Sequence, residues 1–383
     1  MSKPAVGVFT LAYDPFVGGA EIAVREIIRR LPEADFAILT RRFDRSWPPI
    51  ETSGNYSVIR LGSGRSDGNY YGGFFRKVVY VFSAYRWAMR AHQKAPFSAV
   101  WAVMASYAGI AALLFKLRHP EVPLLLTLQE GDSESHILGR VGIFYPFWRL
   151  IFKRADYIQP ISNFLADFAR RHGANCPVEV VPNGVDLEKF HPNPQVRVPG
   201  EVIRLVTTSR LVKKNGIDIV LGALEELQKK SGAKTYHFDV FGDGPERNHL
   251  EEQARNCGVA ELVSFHGSLD SDEVAERISN ADIFVRPSRS EGLGNSFLEA
   301  MAAGLPIIAT SVGGIADFLV DGDTGVRVNS EDSKDLADKI NLLSEDGVLR
   351  KRIAENGRRL VEGRYSWDKI AIHMRAIFQK ICV

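Results

Sequence analysis

Two glutamates, Glu291 and Glu299, bracket a stretch that reads EGLGNSFLEAMAAGLP over residues 291–306. Between them stand Gly292, Leu293, Gly294, Asn295 and Ser296, and the stretch closes on Gly304 and Pro306, a helix stop. The pattern predicts a helix from about Asn295 to Gly304, entered from a glycine-bearing loop. The first amides of such a helix lack intrahelical partners and bind phosphate well. Glycines at 292 and 294 let the backbone approach a ligand closely. Glu299, about one turn inside, can reach a vicinal diol such as ribose, as acidic residues do in dinucleotide sites. Glu291, in the loop, faces whatever is attached beyond the phosphates. The competing reading is a capped amphipathic helix with both acids in solvent.

The elements that must position this stretch are strands and helices in alternation. DIFVRPS (282–288) reads as the strand leading into it. Before it come IRLVTTSR, a helix at about 216–231, YHFDVFGDG, a helix at about 245–257, LVSFHG and a helix at 271–280. After it come IIATSV and a charged helix near 331–345. The first half repeats the theme: AVGVFTL, a loop AYDPFVGG, the helix AEIAVREIIRRL, then strands DFAILT, YSVIRL, AVWAVM, LLLTLQ, YIQPIS and VEVVP. Alternating β and α implies parallel sheets covered by helices on both faces. Residues 181–200 are dense in Pro, Asn and Gly and read as a linker. Ligands of such folds sit at the carboxyl ends of the strands and between domains. The last segment, SWDKIAIHMRAIFQKI, carries apolar residues at three- and four-residue spacing and must pack on something.

With 383 residues, 45% hydrophobic and 25% charged, the chain is long enough for two cored domains. A net charge of +2 argues against a dedicated nucleic-acid binder. The charge is uneven: 24 Lys+Arg against 17 Asp+Glu in residues 1–200, and 24 against 29 in the rest. That asymmetry fits either a basic face toward anionic lipid or substrate, or two ordinary domains with different surfaces. Three scattered cysteines suggest neither a disulfide framework nor a metal cluster, and the N-terminus shows no apolar leader, so a cytoplasmic setting is expected. The apolar stretch Ala99–Phe115 reads as a buried strand followed by an apolar helix, not as a membrane span. Two Asp-x-Asp triplets, at 270–272 and 321–323, read as a helix cap and a turn, and no metal site is expected.

Blocks along most of the chain resemble glycosyltransferase family 4, the retaining GT-B enzymes with an E-x7-E signature. They are GGAE (18–21), ISNFLADFARRHG (161–173), VVPNGVDLEKF (180–190), SRLVKKNGID (209–218), VFGDGPERNHLE (240–251), VSFHGSL (263–269), the run 281–314 and DGDTGVRV (321–328). Glu291 and Glu299 match the two ends of the signature. The resemblance implies an α/β fold of two doubly wound Rossmann-like domains facing across a cleft. Residues 1–195 would take the acceptor and 196–365 the nucleotide sugar. A helix over 366–383 would cross back onto the first domain, anchored by Trp367. The implied activity is retaining, metal-independent transfer of a hexose from a UDP- or GDP-sugar to a saccharide or lipid-linked saccharide. No cofactor is implied beyond that sugar nucleotide.

The same resemblance assigns residues. Arg210 matches the diphosphate-binding arginine, whose fork grips two phosphate oxygens. The usual lysine five positions later is here Asn215, so Lys214 is taken as its substitute, with Lys213 and Asn215 as alternatives. Gly18 and Gly19 match the loop that approaches the phosphates and acceptor. Gln129 stands where many relatives carry a histidine near the transferred sugar, and can hydrogen-bond a sugar hydroxyl. Glu130 or Asp132 could orient or deprotonate an acceptor hydroxyl. The departures at 129 and 215 keep a non-catalytic nucleotide-sugar-binding partner open, alongside an epimerase on the same fold. Residues 72–94 and 143–154 mix aromatics with Arg and Lys; they read as core-facing helices with basic outer faces, or as a peripheral contact with the inner face of an anionic membrane.

Overall fold

The structure, a computed structural model, describes residues 3–15, 18–64, 73–192, 202–230 and 235–382. The chain divides into two units, Met1–Asn183 with Trp367–Val383, and Gly184–Ser366. The boundary expected at 195/196 lies outside the described residues.

Unit 1 runs β1 (Ala5–Phe9), α1 (Gly19–Arg29), β2 (Asp35–Arg41), β3 (Ile50–Ser53), β4 (Tyr56–Leu61), α2 (Phe74–Lys94), β5 (Ala99–Val103), α3 (Tyr107–Arg118), β6 (Leu124–Leu128), α4 (Glu134–Val141), α5 (Tyr145–Arg154), β7 (Tyr157–Pro160) and α6 (Asn163–Arg171). The sheet order is β3-β4-β2-β1-β5-β6-β7. Every pair is parallel except β3 with β4. The inner strands β5 and β6 are buried at every position, as a sheet covered on both faces requires. The exposed, polar β3 is an edge strand that alternation did not announce. VEVVP does not form a strand: it touches β7 through an isolated bridge at Val178, beside prolines at 160, 177 and 182 that cannot donate.

Unit 2 runs β8 (Val202–Thr208), α7 (Ile217–Lys229), β9 (Thr235–Phe241), α8 (Arg247–Asn256), β10 (Val263–Gly267), α9 (Ser271–Ser279), β11 (Ile283–Arg286), α10 (Asn295–Ala302), β12 (Ile307–Ala309), β13 (Val326–Arg327), α11 (Ser333–Glu345) and α12 (Gly347–Arg364). Its strands pair in the order β10-β9-β8-β11-β12-β13, all parallel. Asp270 caps α9 in a reciprocal box with Glu273, and Asp321 accepts from the Arg327 amide, so both Asp-x-Asp triplets do local structural work. α12 was not anticipated, because its buried stripe is only Ile353, Gly357 and Val361 in a mostly polar sequence.

The final helix α13 (Trp367–Ile381) returns to unit 1. Trp367, Ile370, Met374, Ile377, Phe378 and Ile381 join the core under β1, β2 and β5. The Phe378 ring meets Phe36 and Trp101 edge-on at 5.8 and 5.5 Å between centroids. Among the described residues no helix is long and apolar enough to cross a membrane.

Candidate functional site

In unit 2 the chain leaves β8 for β9 on one side and returns to β11 on the other, so the loops after β8 and β11 part at a topological switch point. The first loop carries Arg210 and Lys213–Asn215; the second carries Ser288–Gly294. They are tied together. The Arg289 amide donates to the Lys214 carbonyl at 2.7 Å, and its guanidinium forks onto Asp218 at 2.8 and 2.7 Å and also pairs with Glu331. Sequence reasoning missed Arg289; its role depends on partners 71 and 42 positions away.

The second loop turns on Arg286, the last residue of β11 and 4% exposed. Its Nη1 donates to the Thr208 carbonyl at 3.2 Å and to Ser296 Oγ at 2.6 Å, and its Nη2 donates to Glu291 Oε2 at 2.9 Å. The guanidinium also lies 4.3 Å from the Phe297 ring centroid. Burial holds its pKa below the ordinary value, against the fields of Glu291 and Glu299. Glu291 is thus a held carboxylate, its other oxygen accepting from the Gly292 amide at 3.0 Å. Sequence reasoning did not find Arg286, although the residue before Pro287 in DIFVRPS was in view.

α10 opens at Gly294, whose φ is +86° and which offers no side-chain cap. A Cβ there would lie 2.6 Å from Phe297 Cδ2 and 2.9 Å from Arg286 Nη2, so both conformation and space demand glycine. Gly292 and Leu293 are both buried. Asn295 and Ser296 form the first turn, with the Ser296 hydroxyl held by Arg286. Glu299 follows on the same helix. Among the described residues its carboxylate has no hydrogen bond or ion pair, and burial pushes its pKa up to about 7 against the lowering fields of Arg286 and Lys189. The Thr207, Thr208, Ser209 and Ser288 hydroxyls, at the ends of β8 and β11, are buried without partners among the described residues. Buried hydroxyls left unsatisfied at strand ends call for a partner such as water or a polar ligand.

Arg210 is exposed and Lys214 half-buried at the same strand ends. Asn215 is turned inward, 5% exposed, and its Nδ2 donates to the Arg210 carbonyl at 2.6 Å. It shapes the loop that presents Arg210.

The remaining candidates belong to unit 1. Gly18 caps α1 in an extended conformation and Gly19 begins that helix. Gln129 accepts from Asn183 Nδ2 at 3.0 Å. Glu130 Oε1 accepts from the Ala105 amide at 2.7 Å, and burial pushes its pKa up to about 7. With Trp148 Nε1 donating to the Ala105 carbonyl at 2.6 Å, Glu130 pins the turn after β5, where Met104 has φ +71°. Asp132 faces Arg140 at 3.6 Å, and His136 is exposed on α4.

Comparison with known proteins follows the same division. Residues 192–360 match the family described as glycosyl transferases group 1, and residues 18–184 match the glycosyl transferase 4-like domain. An uncharacterized glycosyltransferase of Methanocaldococcus jannaschii is 26% identical over 374 residues, 96% of each chain. A GDP-mannose-dependent alpha-(1-6)-phosphatidylinositol monomannoside mannosyltransferase of Mycobacterium tuberculosis is 32% identical over 261 residues, 63% of this chain and 66% of that one. In fold, the chain is similar to sucrose-phosphate synthase from Thermosynechococcus elongatus, with a TM-score of 0.85 over 99% of both chains at 22% identity.

Proposed function

The chain belongs to the GT-B glycosyltransferases of the family 4 kind, and on that premise we propose that it moves a hexose from a UDP- or GDP-sugar to a saccharide or lipid-linked saccharide with retention at the anomeric carbon. The observation that carries the donor reading is the loop–helix junction of unit 2. A helix amide end without a side-chain cap carries a carboxylate partnerless among the described residues, Glu299, on the same helix, and the neighbouring strand β8 leads into the loop that bears Arg210. The amides of α10, with Arg210 and Lys214, take the diphosphate. Glu299 accepts hydrogen bonds from the ribose hydroxyls. Glu291, fixed by Arg286, accepts from hydroxyls of the sugar. Each cation placed on the leaving phosphates lowers the barrier by stabilising charge that develops there.

Transfer then breaks the bond between C1 and the diphosphate oxygen while the acceptor oxygen bonds to C1 on the same face. The acceptor proton passes to the departing phosphate oxygen. Unit 1 supplies the acceptor side, with Gly18, Gly19 and Gln129 contacting substrate and Glu130 holding the turn that borders it. These groups need neither metal nor further cofactor. Peripheral contact with an anionic membrane is supported by Phe74, Phe75, Ile143 and Phe144, which are 71, 77, 89 and 66% exposed among basic neighbours.

Proton NMR of the product formed from UDP- or GDP-hexose tests the reaction. Acceptor-dependent appearance of a product with the donor's anomeric configuration is expected, unchanged by a chelator. An inverted product, or turnover without acceptor, contradicts the proposal.

A further inference from the structure

The loop bearing Arg210, Lys213 and Lys214 has little regular structure of its own. Residues 213–215 make a single 3-10 turn, and so short a turn gains little from its own hydrogen bonds. Side chains and the neighbouring loop hold its carbonyls instead. The Arg289 amide donates to the Lys214 carbonyl at 2.7 Å, Arg289 Nη1 donates to the Lys213 carbonyl at 2.5 Å, and Asn215 Nδ2 donates to the Arg210 carbonyl at 2.6 Å. Backbone contact closes the joint. Gly216, at φ +72°, ends the turn, and a Cβ there would lie 2.1 Å from the Pro287 carbonyl oxygen. Nothing larger than glycine fits between the two loops at that point, so a shift of residues 287–289 carries the turn with it.

Arg289 is fixed at its far end. Its guanidinium forks onto Asp218, in the first turn of α7, at 2.8 and 2.7 Å, and its Nη2 donates to Glu331 Oε2 at 2.7 Å. Glu331 has a left-handed backbone, φ +61°, which a residue with a side chain keeps only where its surroundings impose it. Hydrogen bonds to Asp218 and Glu331 hold the Arg289 pKa above the ordinary arginine value. With two carboxylates matching its charge, Arg289 is a brace and not a second phosphate ligand beside Arg210.

We propose that Arg289 is a positioning residue for the donor's diphosphate: it touches no part of the sugar nucleotide and acts by fixing where the Lys213–Asn215 turn presents Lys214. The inference rests on the donor reading above, which gives Lys214 to the diphosphate. A cation stabilises a leaving group best when it is held in place before the charge develops. The flexible stem of a lysine on a short turn does not provide that, and the fork behind the turn does. Arg289→Lys keeps the charge but loses the planar fork that serves Asp218, Glu331 and the Lys213 carbonyl at once.

A double-mutant cycle tests the proposal, read by isothermal titration of UDP and GDP into the full chain as wild type, Arg289→Lys, Lys214→Ala and the double variant. Each single substitution should weaken nucleotide binding about tenfold. The double variant should bind about as weakly as Lys214→Ala alone, because the brace then has no ammonium left to position. An arginine that is merely structural weakens binding equally with and without Lys214→Ala. Losses that multiply to about a hundredfold therefore overturn the proposal, as does wild-type affinity in either single variant. If Arg289→Lys unfolds below the titration temperature, Asp218→Asn replaces it in the cycle: it leaves Arg289 in place, removes the charge at one end of the fork, and should show the same dependence on Lys214. A wild type that binds neither nucleotide sinks the donor reading and this proposal with it. A wild type that binds, with losses that multiply, sinks the positioning role alone.

Discussion

Arg286 Nη2 donates to Glu291 Oε2 at 2.9 Å, with the two side chains 5 and 16% exposed. This pair converts a loop acid into a fixed acceptor, and it does so from the end of the strand that delivers the loop. Removing one member strands the other. Arg286→Met should cost about 3–5 kcal/mol of stability, as breaking a buried pair does, whereas Glu291→Gln keeps a hydrogen-bond acceptor and should cost less. Urea unfolding of the two variants measures the difference; equal, small losses would remove the pair from the account.

Gly294 is required twice, by its φ of +86° and by the 2.6 Å approach of Phe297. Gly294→Ala should lose about 1–2 kcal/mol from the left-handed backbone, and more from displacing Phe297 and Arg286. Because the same residue opens α10, nucleotide affinity should fall along with the unfolding midpoint. A variant with wild-type midpoint and wild-type affinity would contradict this.

Glu299 makes stability depend on pH in a definite direction. Its folded pKa is raised to about 7, from an ordinary 4.5. The folded state therefore binds more protons between these values, and stability falls as pH rises from about 4.5 to 7. Glu299→Gln should flatten that part of the profile. Residual slope should remain from Glu21 and Glu130, both also raised to about 7 by burial. Donor affinity should run the opposite way, strengthening as Glu299 ionises. Denaturation midpoints and nucleotide titrations across this pH range check both signs.

The alternation of strands and helices was readable because strands such as β5 are continuous apolar runs, and α10 because Gly304 and Pro306 mark its end. Trp367 and its spaced partners announced that the last helix packs, and the family resemblance indicated on what. What escaped was long-range. Arg286 and Arg289 look like strand-end and loop cations until their partners on β8, α7 and the 291 loop are seen. Asn215, read as a departure in a charged motif, is a loop support. Glu130, weighed as an acceptor-facing acid, holds the Ala105 amide.

Phe378 joins the last helix to β2 and β5 through Phe36 and Trp101. Phe378→Ala should cost about 3–5 kcal/mol and lower the melting of unit 1. Nucleotide binding, assigned to unit 2, should persist below that transition. Loss of nucleotide binding in a still-folded Phe378→Ala protein would contradict the division of labour between the units.

A nucleoside diphosphate should bind at the amino end of α10. Isothermal titration of UDP and GDP into the wild type, Arg210→Ala and Glu299→Ala tests it most directly. At least one nucleotide should bind the wild type, with affinity reduced about 10-fold or more in Arg210→Ala, the loss of a charge-assisted phosphate contact, and clearly reduced in Glu299→Ala. Binding of neither nucleotide, or binding left intact by both substitutions, would contradict the account.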